Sequence, residues 1–312
     1  MTRRVLVVGS INVDYVIETD RLPKLGETLT GKNFSMNFGG KGANQASAIA
    51  KQGCEVRMLG AVGNDSAGDA SIRNLTSYGI DCTAVERVFA PTGAAVITVC
   101  KGDNHILIDA GANGCVTPDV IEKNTALFEW ADIVVMQLEI PVESVLLAAK
   151  IAKQYGKMVI LNPAPVKDFD PSLYPMVDWM IPNEFEAQLL TGILPTHTES
   201  AKNAIGVLRS RGTKNAIVTM GKRGCVFADG DKISSFGIYP VRTVDTTAAG
   251  DSFIGGLCSK LGTCATEEAV AYASAVSAIT VSRSGAAESI PTQKEVEQFL
   301  SDRPSSKRRK HA

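Results

Sequence analysis

Short apolar runs recur along the chain, each about as long as a buried strand and each closed by glycine or a polar turn. The first, Val5-Leu6-Val7-Val8-Gly9, is rich in β-branched residues and has no polar position, which predicts a strand covered on both faces. Further runs, apolar but for Arg57, Gln137 and Thr219, fall at 56–62, 133–138, 158–161, 179–181 and 216–219. Between them, small and amphipathic stretches predict helices: over 46–52 ended by Gly53, ending near Gly79, from Pro141 to Gly156, from after Glu186 to Gly192, and over 201–211. Further helices are expected over 250–261, 266–282 and 293–301. Strands each followed by a helix imply a parallel sheet with right-handed crossovers, and hence an α/β fold layered helix, sheet, helix.

Two stretches break the alternation. Residues 13–39 lack a helical period but alternate in places, at Val13, Tyr15 and Ile17 and again at Phe34, Met36 and Phe38. Residues 96–99 and 106–108 flank Lys101-Gly102-Asp103-Asn104, a hairpin by composition. Together, 13–39 and about 94–110 predict a second, smaller β element able to serve as a lid.

Composition narrows the partners. In 312 residues, 32 Lys plus Arg stand against 33 Asp plus Glu, so nothing in the balance favours nucleic acid or an anionic membrane, and a small molecule is the expected ligand. No apolar run reaches the roughly 20 residues that cross a bilayer, and Arg3-Arg4 lead straight into a strand pattern, so the expected location is the cytoplasm. Seven cysteines form no C-x-x-C pair, and histidine occurs only at 105, 197 and 311, so reduced, packed thiols are expected and no zinc-type cluster. One domain over 1–303 is expected, with a basic tail at 304–312 read as solvated and disordered; a signal for a nuclear pool is its sharper reading.

Chemistry concentrates at Asp245-Thr246-Thr247-Ala248-Ala249-Gly250-Asp251, small and hydroxylated residues between two carboxylates at the start of a small-residue helix. A helix N-terminus offers unpaired N–H groups, and Ala-Ala-Gly lets a phosphate approach them. Asp251 reads either as a residue that stabilises the helix dipole or as an acceptor for a substrate proton. Gly39-Gly40-Lys41-Gly42-Ala43-Asn44 suggests backbone pressed against a ligand, but it is not a Walker A loop, since Gly42 follows the lysine where Ser or Thr is required. Asn12 and Asp14 share one face if extended, and Glu139, Asn183, Thr219 and Asp251 all fall at strand C-termini, the edge where parallel sheets bind ligands.

In order and spacing, six motifs resemble the ribokinase-like (PfkB) carbohydrate kinases. They are Gly9 to Asp14, Gly39 to Gln45, Met136-Gln137-Leu138-Glu139, Asn162-Pro163-Ala164-Pro165, Pro182-Asn183-Glu184 and Asp245 to Asp251, spanning nearly the whole chain. The resemblance implies a three-layer α/β/α fold with a mostly parallel central sheet and a small β-sheet lid that also forms a homodimer contact. It implies ATP-dependent phosphorylation of ribose at the 5-hydroxyl, with 2-deoxyribose or another sugar or nucleoside as the alternative and a non-catalytic sugar-binding regulator as the reading from another class. By the same resemblance Asp251 is the general base and the amides of Ala248, Ala249 and Gly250 are the anion hole. Asn12, Asp14, Gly40, Lys41, Asn44 and Glu139 hold the sugar; Asn183, Thr219, Gly221, Lys222, Arg223, Gly224 and Gly250 hold ATP. An activating potassium is implied at Asp245, Thr247, Thr280, Arg283, Gly285 and Ser289, and Glu186 is implied in binding magnesium. Ser274 stands where some members carry histidine near the adenine.

Overall fold

The computed structural model describes residues 2–101 and 103–303, so the basic tail lies outside the described residues. Its first part runs β1 (Arg4–Val8), β2 (Asn12–Thr19), β3 (Lys32–Gly39), α1 (Lys41–Lys51), β4 (Glu55–Gly63), α2 (Ser66–Ser77), β5 (Val85–Val88), β6 (Gly93–Cys100) and β7 (Asp103–Asp109). Then come α3 (Pro118–Lys123), α4 (Thr125–Trp130), β8 (Ile133–Met136), α5 (Val142–Gln154), β9 (Met158–Leu161), β10 (Trp179–Met180), α6 (Glu184–Thr191) and α7 (Thr198–Ser210). The last part holds β11 (Asn215–Thr219), β12 (Cys225–Asp229), β13 (Lys232–Phe236), α8 (Ala249–Lys260), α9 (Thr266–Val281) and α10 (Gln293–Ser301).

The main sheet has the order β13-β12-β11-β10-β9-β8-β1-β4-β5. β1 lies between β4 and β8, parallel to both, and Val5 to Val8 are fully buried as the unbroken apolar run predicts. Its side chains alternate between two cores. Leu6 and Val8 pack toward α5, α6 and α7, while Val5 and Val7 pack toward α1, α8 and α9. Strand order reverses at β1 and β8, and Val8 pairs with Met136, so Ser10 and Glu139 leave the sheet side by side at the switch-point crevice.

Several expectations need correction. The sheet is mostly parallel, as expected, but β12 and β13 add to β11 antiparallel, a hairpin that the sequence pattern does not predict. β5 and the short helices α3 and α4 are likewise absent from it; β5 has four residues and α3 and α4 six each, too few to establish a period. Helix α1 starts at Lys41, five residues before the expected 46, because Gly40 at φ 89° turns the chain directly into it. Gly42 permits this start: a Cβ there would stand 2.5 Å from Ser10 N and 2.7 Å from Gly9 C.

Helices α1 and α8 are equally close, since a Cβ on Gly255 would collide with Ala48. This approach fixes the helix carrying Lys41, Asn44 and Gln45 against the one carrying Asp251. The smaller sheet is β3-β2-β6-β7, with β2 antiparallel to β3 and parallel to β6, and β6 and β7 forming the hairpin. Phe34, Met36, Val96, Ile106, Leu107 and Ile108 give it an exposed apolar band.

Candidate active site

Asp251 sits in the first turn of α8 and is buried. Gln45 Nε2 donates to its Oδ1 at 2.9 Å, and Asn44 Nδ2 donates to Oδ2 at 3.3 Å. Gln45 is held in turn: Gln137 Nε2 donates to its Oε1 at 2.6 Å, and its own Nε2 also reaches Asn162 Oδ1 at 3.2 Å. Burial pushes the Asp251 carboxyl up from its ordinary range, against the Lys41 ammonium and the amide donors, which favour its charged form. A carboxylate that is oriented yet more basic than usual suits proton abstraction better than dipole stabilisation alone.

Lys41 faces the same cavity. Burial works against its charge, but Asp251, Glu139 and Glu186 outweigh that and hold the ammonium up from its ordinary range. The cavity, about 190 Å³, is lined by Lys41, Asn162, Asn183, Glu186, Thr219, Thr246, Ala248, Ala249, Gly250 and Asp251. Lys41, expected on the sugar, thus stands at the junction of base and phosphate cradle. The cradle has an unexpected feature: Ala248 adopts φ 57°, a left-handed conformation that a residue with a Cβ seldom takes. Ala249 N–H donates to Thr246 O at 3.2 Å, whereas the N–H groups of Ala248 and Gly250 have no protein acceptor among the described residues.

At the sugar end, Glu139 Oε2 accepts from Ser10 Oγ and from Lys41 N at 3.0 Å, which ties β1, β8 and α1 together. The Asp14 carboxylate lies over Gly39, where a Cβ would displace it. Burial, with a smaller contribution from Glu139, pushes its pKa up to about 6. Asn12 and Asp14 are both in β2 and so share a face, as expected. Gly40, Lys41 and Asn44 come to the same mouth on the turn and first helical residues after β3.

The second cavity, about 350 Å³, shares Asn183, Thr219, Thr246, Ala249 and Gly250 with the first and continues it toward the β12–β13 edge. Gly221, Lys222, Gly224, Ile238, Tyr239, Val241, Phe253 and Ser274 also line it, an apolar slot with a polar mouth fitted to a nucleoside. Asn183 caps α6 by accepting from Phe185 N and Glu186 N, while Glu186 Oε2 accepts from Asn183 N at 2.9 Å. The Arg223 guanidinium bonds Glu184 Oε1 at 3.1 Å and Pro195 O, outside the lining, so it meets the slot only through Glu184.

Of the residues implied in cation binding, Asp245, Thr247 and Gly285 are joined by hydrogen bonds. Asp245 Oδ1 accepts from Thr247 N at 2.9 Å and from its hydroxyl, and Oδ2 accepts from Gly285 N at 3.1 Å. Despite burial, which opposes it, these bonds hold the carboxyl below its ordinary range. No basic side chain pairs with Asp245 among the described residues, because Arg283 is taken by Glu295 at 2.7 Å. A carboxylate held ionised by these donors and without a basic partner fits a hard monovalent cation. Thr280 and Ser289 hydroxyls are turned to Val276 O and Ala286 O, so any contribution from them falls to their carbonyls. Both Glu186 oxygens already accept from Asn183, with Asn162 Nδ2 a further donor at 3.4 Å, which fits magnesium held through water.

Ser10, Gln45, Gln137, Asn162 and Asn113 carry the site without an assigned role in the sequence reading. The first four lie within the recognised motifs, which was their only signal. Asn113 had none.

Residues 2–293 match the pfkB family carbohydrate kinases, and the chain belongs to that family. It is therefore a phosphotransferase acting on a sugar hydroxyl. Within the family it is similar to ribokinases: the Haemophilus influenzae enzyme is 39% identical over 303 residues, covering 96% of this chain and 99% of the relative. The solved structure of Arabidopsis thaliana ribokinase complexed with ribose and ATP overlays with a TM-score of 0.91 at 32% identity, covering 96% of this chain and 99% of that one. A deoxyribokinase of Salmonella typhimurium is 37% identical over 301 residues, covering 95% of this chain and 98% of the relative.

Proposed function

We propose that the chain transfers the γ-phosphoryl group of ATP to the 5-hydroxyl of D-ribose, giving ribose 5-phosphate and ADP. The observation that carries this reading is the buried Asp251, oriented by Asn44 and Gln45 at the point where the Asn12, Asp14 and Glu139 end meets the nucleotide slot. With the base of ATP in the slot and its terminal phosphate on the Ala248 and Gly250 amides, the 5-hydroxyl oxygen lies in line between phosphorus and Asp251. The O5–P bond forms as the bridging bond to the β-phosphate breaks, and the hydroxyl proton passes to Asp251. Lys41 neutralises charge that develops on the transferring group. Magnesium, when bound, would neutralise phosphate charge, and Glu186 is the residue that would hold it through water.

Potassium beside Asp245 would act as an activator: it would hold the carbonyls of the 245–247 loop, which Asp245 ties to Gly285, and so keep the cradle beginning at Ala248 in shape. Turnover measured over ribose, 2-deoxyribose, fructose and adenosine, in potassium and in sodium salts, tests both readings. Ribose is expected to lead and sodium to lower the rate; a leading 2-deoxyribose would move the chain to the deoxyribokinase reading, and equal rates in both salts would remove the activator.

A homodimer through the smaller sheet is also part of the proposal, supported by the exposed apolar band from Phe34 to Ile108. Sedimentation should then give twice the 33.0 kDa chain mass, and Leu107→Lys with Phe34→Lys should give the chain mass. A wild-type monomer at micromolar concentration would count against it.

A further inference from the structure

The strands of the smaller sheet are rooted at one pair of buried amides. Asn12 opens β2, Gly93 opens β6, and Asn113 lies in the turn that follows β7. Asn12 is 4% exposed and Asn113 1%. Asn113 Nδ2 donates to Asn12 Oδ1 at 2.7 Å, and Ile11 N donates to Asn113 Oδ1 at 2.8 Å. Gly93 makes the room, since a Cβ there would run into both Asn113 Nδ2 and Asn12 Oδ1.

The direction of these bonds is fixed by the backbone. A main-chain N–H only donates, so Ile11 sets which end of the Asn113 amide faces it. The Asn113 NH2 is thereby turned to Asn12, whose carbonyl oxygen is used and whose own NH2 is left outward. Among the described residues, Asn12 Nδ2 has no acceptor and the Asp14 carboxylate has no hydrogen-bond donor. An unpaired donor and an unpaired acceptor therefore stand two residues apart on one face of β2, at the end of the pocket remote from the phosphate cradle.

We propose that Asn113 is a positioning residue for sugar recognition. It locks Asn12 as a donor beside the Asp14 acceptor, so that this end takes a hydroxyl that accepts from Asn12 while it, or its neighbour, donates to Asp14. The inference rests on the ribose reading, in which the 5-hydroxyl is at Asp251 and the ring hydroxyls, the 2-hydroxyl among them, reach Asn12. A ligand lacking that hydroxyl leaves the outward NH2 buried and unpaired.

Asn113→Asp is the discriminating variant. The new carboxylate can still accept from Ile11 N, and it accepts from Asn12 once the Asn12 amide turns over, so both internal bonds survive. Asn12 then shows an oxygen beside Asp14, two acceptors where the sugar needs a donor and an acceptor. The KM for ribose should rise about tenfold or more, the preference for ribose over 2-deoxyribose should fall, and the KM for ATP should hold within about twofold. Asn113→Ala, which frees Asn12 to turn either way, should raise the ribose KM less. A purely structural role demands the opposite order, because the alanine loses both bonds and the aspartate keeps them.

An aspartate variant with ribose KM within about twofold of wild type, or an alanine variant more impaired than the aspartate, would overturn the proposal. Should the aspartate variant not fold, the alanine variant decides alone: a ribose KM raised about threefold to tenfold at unchanged ATP KM is expected, and an unchanged ribose KM overturns it. If the wild type does not turn over ribose, the ribose reading fails, and the same order is read with whichever sugar is phosphorylated.

Discussion

Asp251→Asn is expected to lower kcat for ribose by about 10² to 10⁴ while ribose still binds, because the amide fills the same space and offers Gln45 an acceptor but takes up no proton. The variant should not be less stable. Burial raises the folded-state pKa of Asp251, so the stability linked to this group is present at low pH and is lost as pH rises through that pKa. Wherever the carboxylate is ionised in the folded protein it is therefore a cost that asparagine removes. A kcat close to wild type, with a melting temperature at least as high, would remove Asp251 from the chemistry.

The second large effect is expected at Lys41. Lys41→Met leaves Asp251, Glu139 and Glu186 without the ammonium that compensates them and takes a cation from the transferring phosphate, so kcat should fall by about 10² to 10³. A change in pH dependence separates this from misfolding. Lys41 pulls the Asp251 pKa down, so its loss moves that pKa up, and the acid limb of the kcat/KM profile should shift to higher pH. A reduced rate with an unmoved acid limb would mean that Lys41 acts on the phosphate and not through the base.

What was legible in the sequence follows from which forces act locally. β1, β4 and β8 could be read because strands covered on both faces exclude polar residues over four or more positions. The start of α1 could not, since Gly40-Lys41-Gly42 has the composition of a loop and becomes helical only because glycine lets it pack on Ser10. The β12–β13 hairpin escaped for a similar reason: its outer strand is only partly buried, and a sheet edge imposes little pattern. At the site, Asp251, Lys41, Asn12 and Asp14 were legible through motifs whose glycine and carboxylate spacing carries chemistry. The bonds that orient them were not. Gln45 meets Gln137, Asn162 and Asp251 across 92, 117 and 206 residues, and nothing local in the chain records such a meeting. The Ala248 conformation is a further case, since alanine gives no sign of a left-handed turn.

The two carboxylates that frame the phosphate cradle divide its tasks. Asp251 is buried, raised in pKa and held by amides that leave it able to take a proton. Asp245 is kept ionised by Thr247 and Gly285 and belongs to the support of the loop. The same chemistry read at the other end of the pocket gives a donor at Asn12 and an acceptor at Asp14, a match for a sugar and a poor one for an apolar base.

The most direct test is the product itself. Purified wild-type protein incubated with ribose, ATP and magnesium in potassium salt, followed by ³¹P and ¹³C NMR, should yield ribose 5-phosphate and ADP in equal amounts, with the phosphorus coupled to C5. Phosphate on another carbon, or ADP formed with inorganic phosphate and no sugar phosphate, would contradict the placing of the 5-hydroxyl between Asp251 and the Ala248–Gly250 cradle.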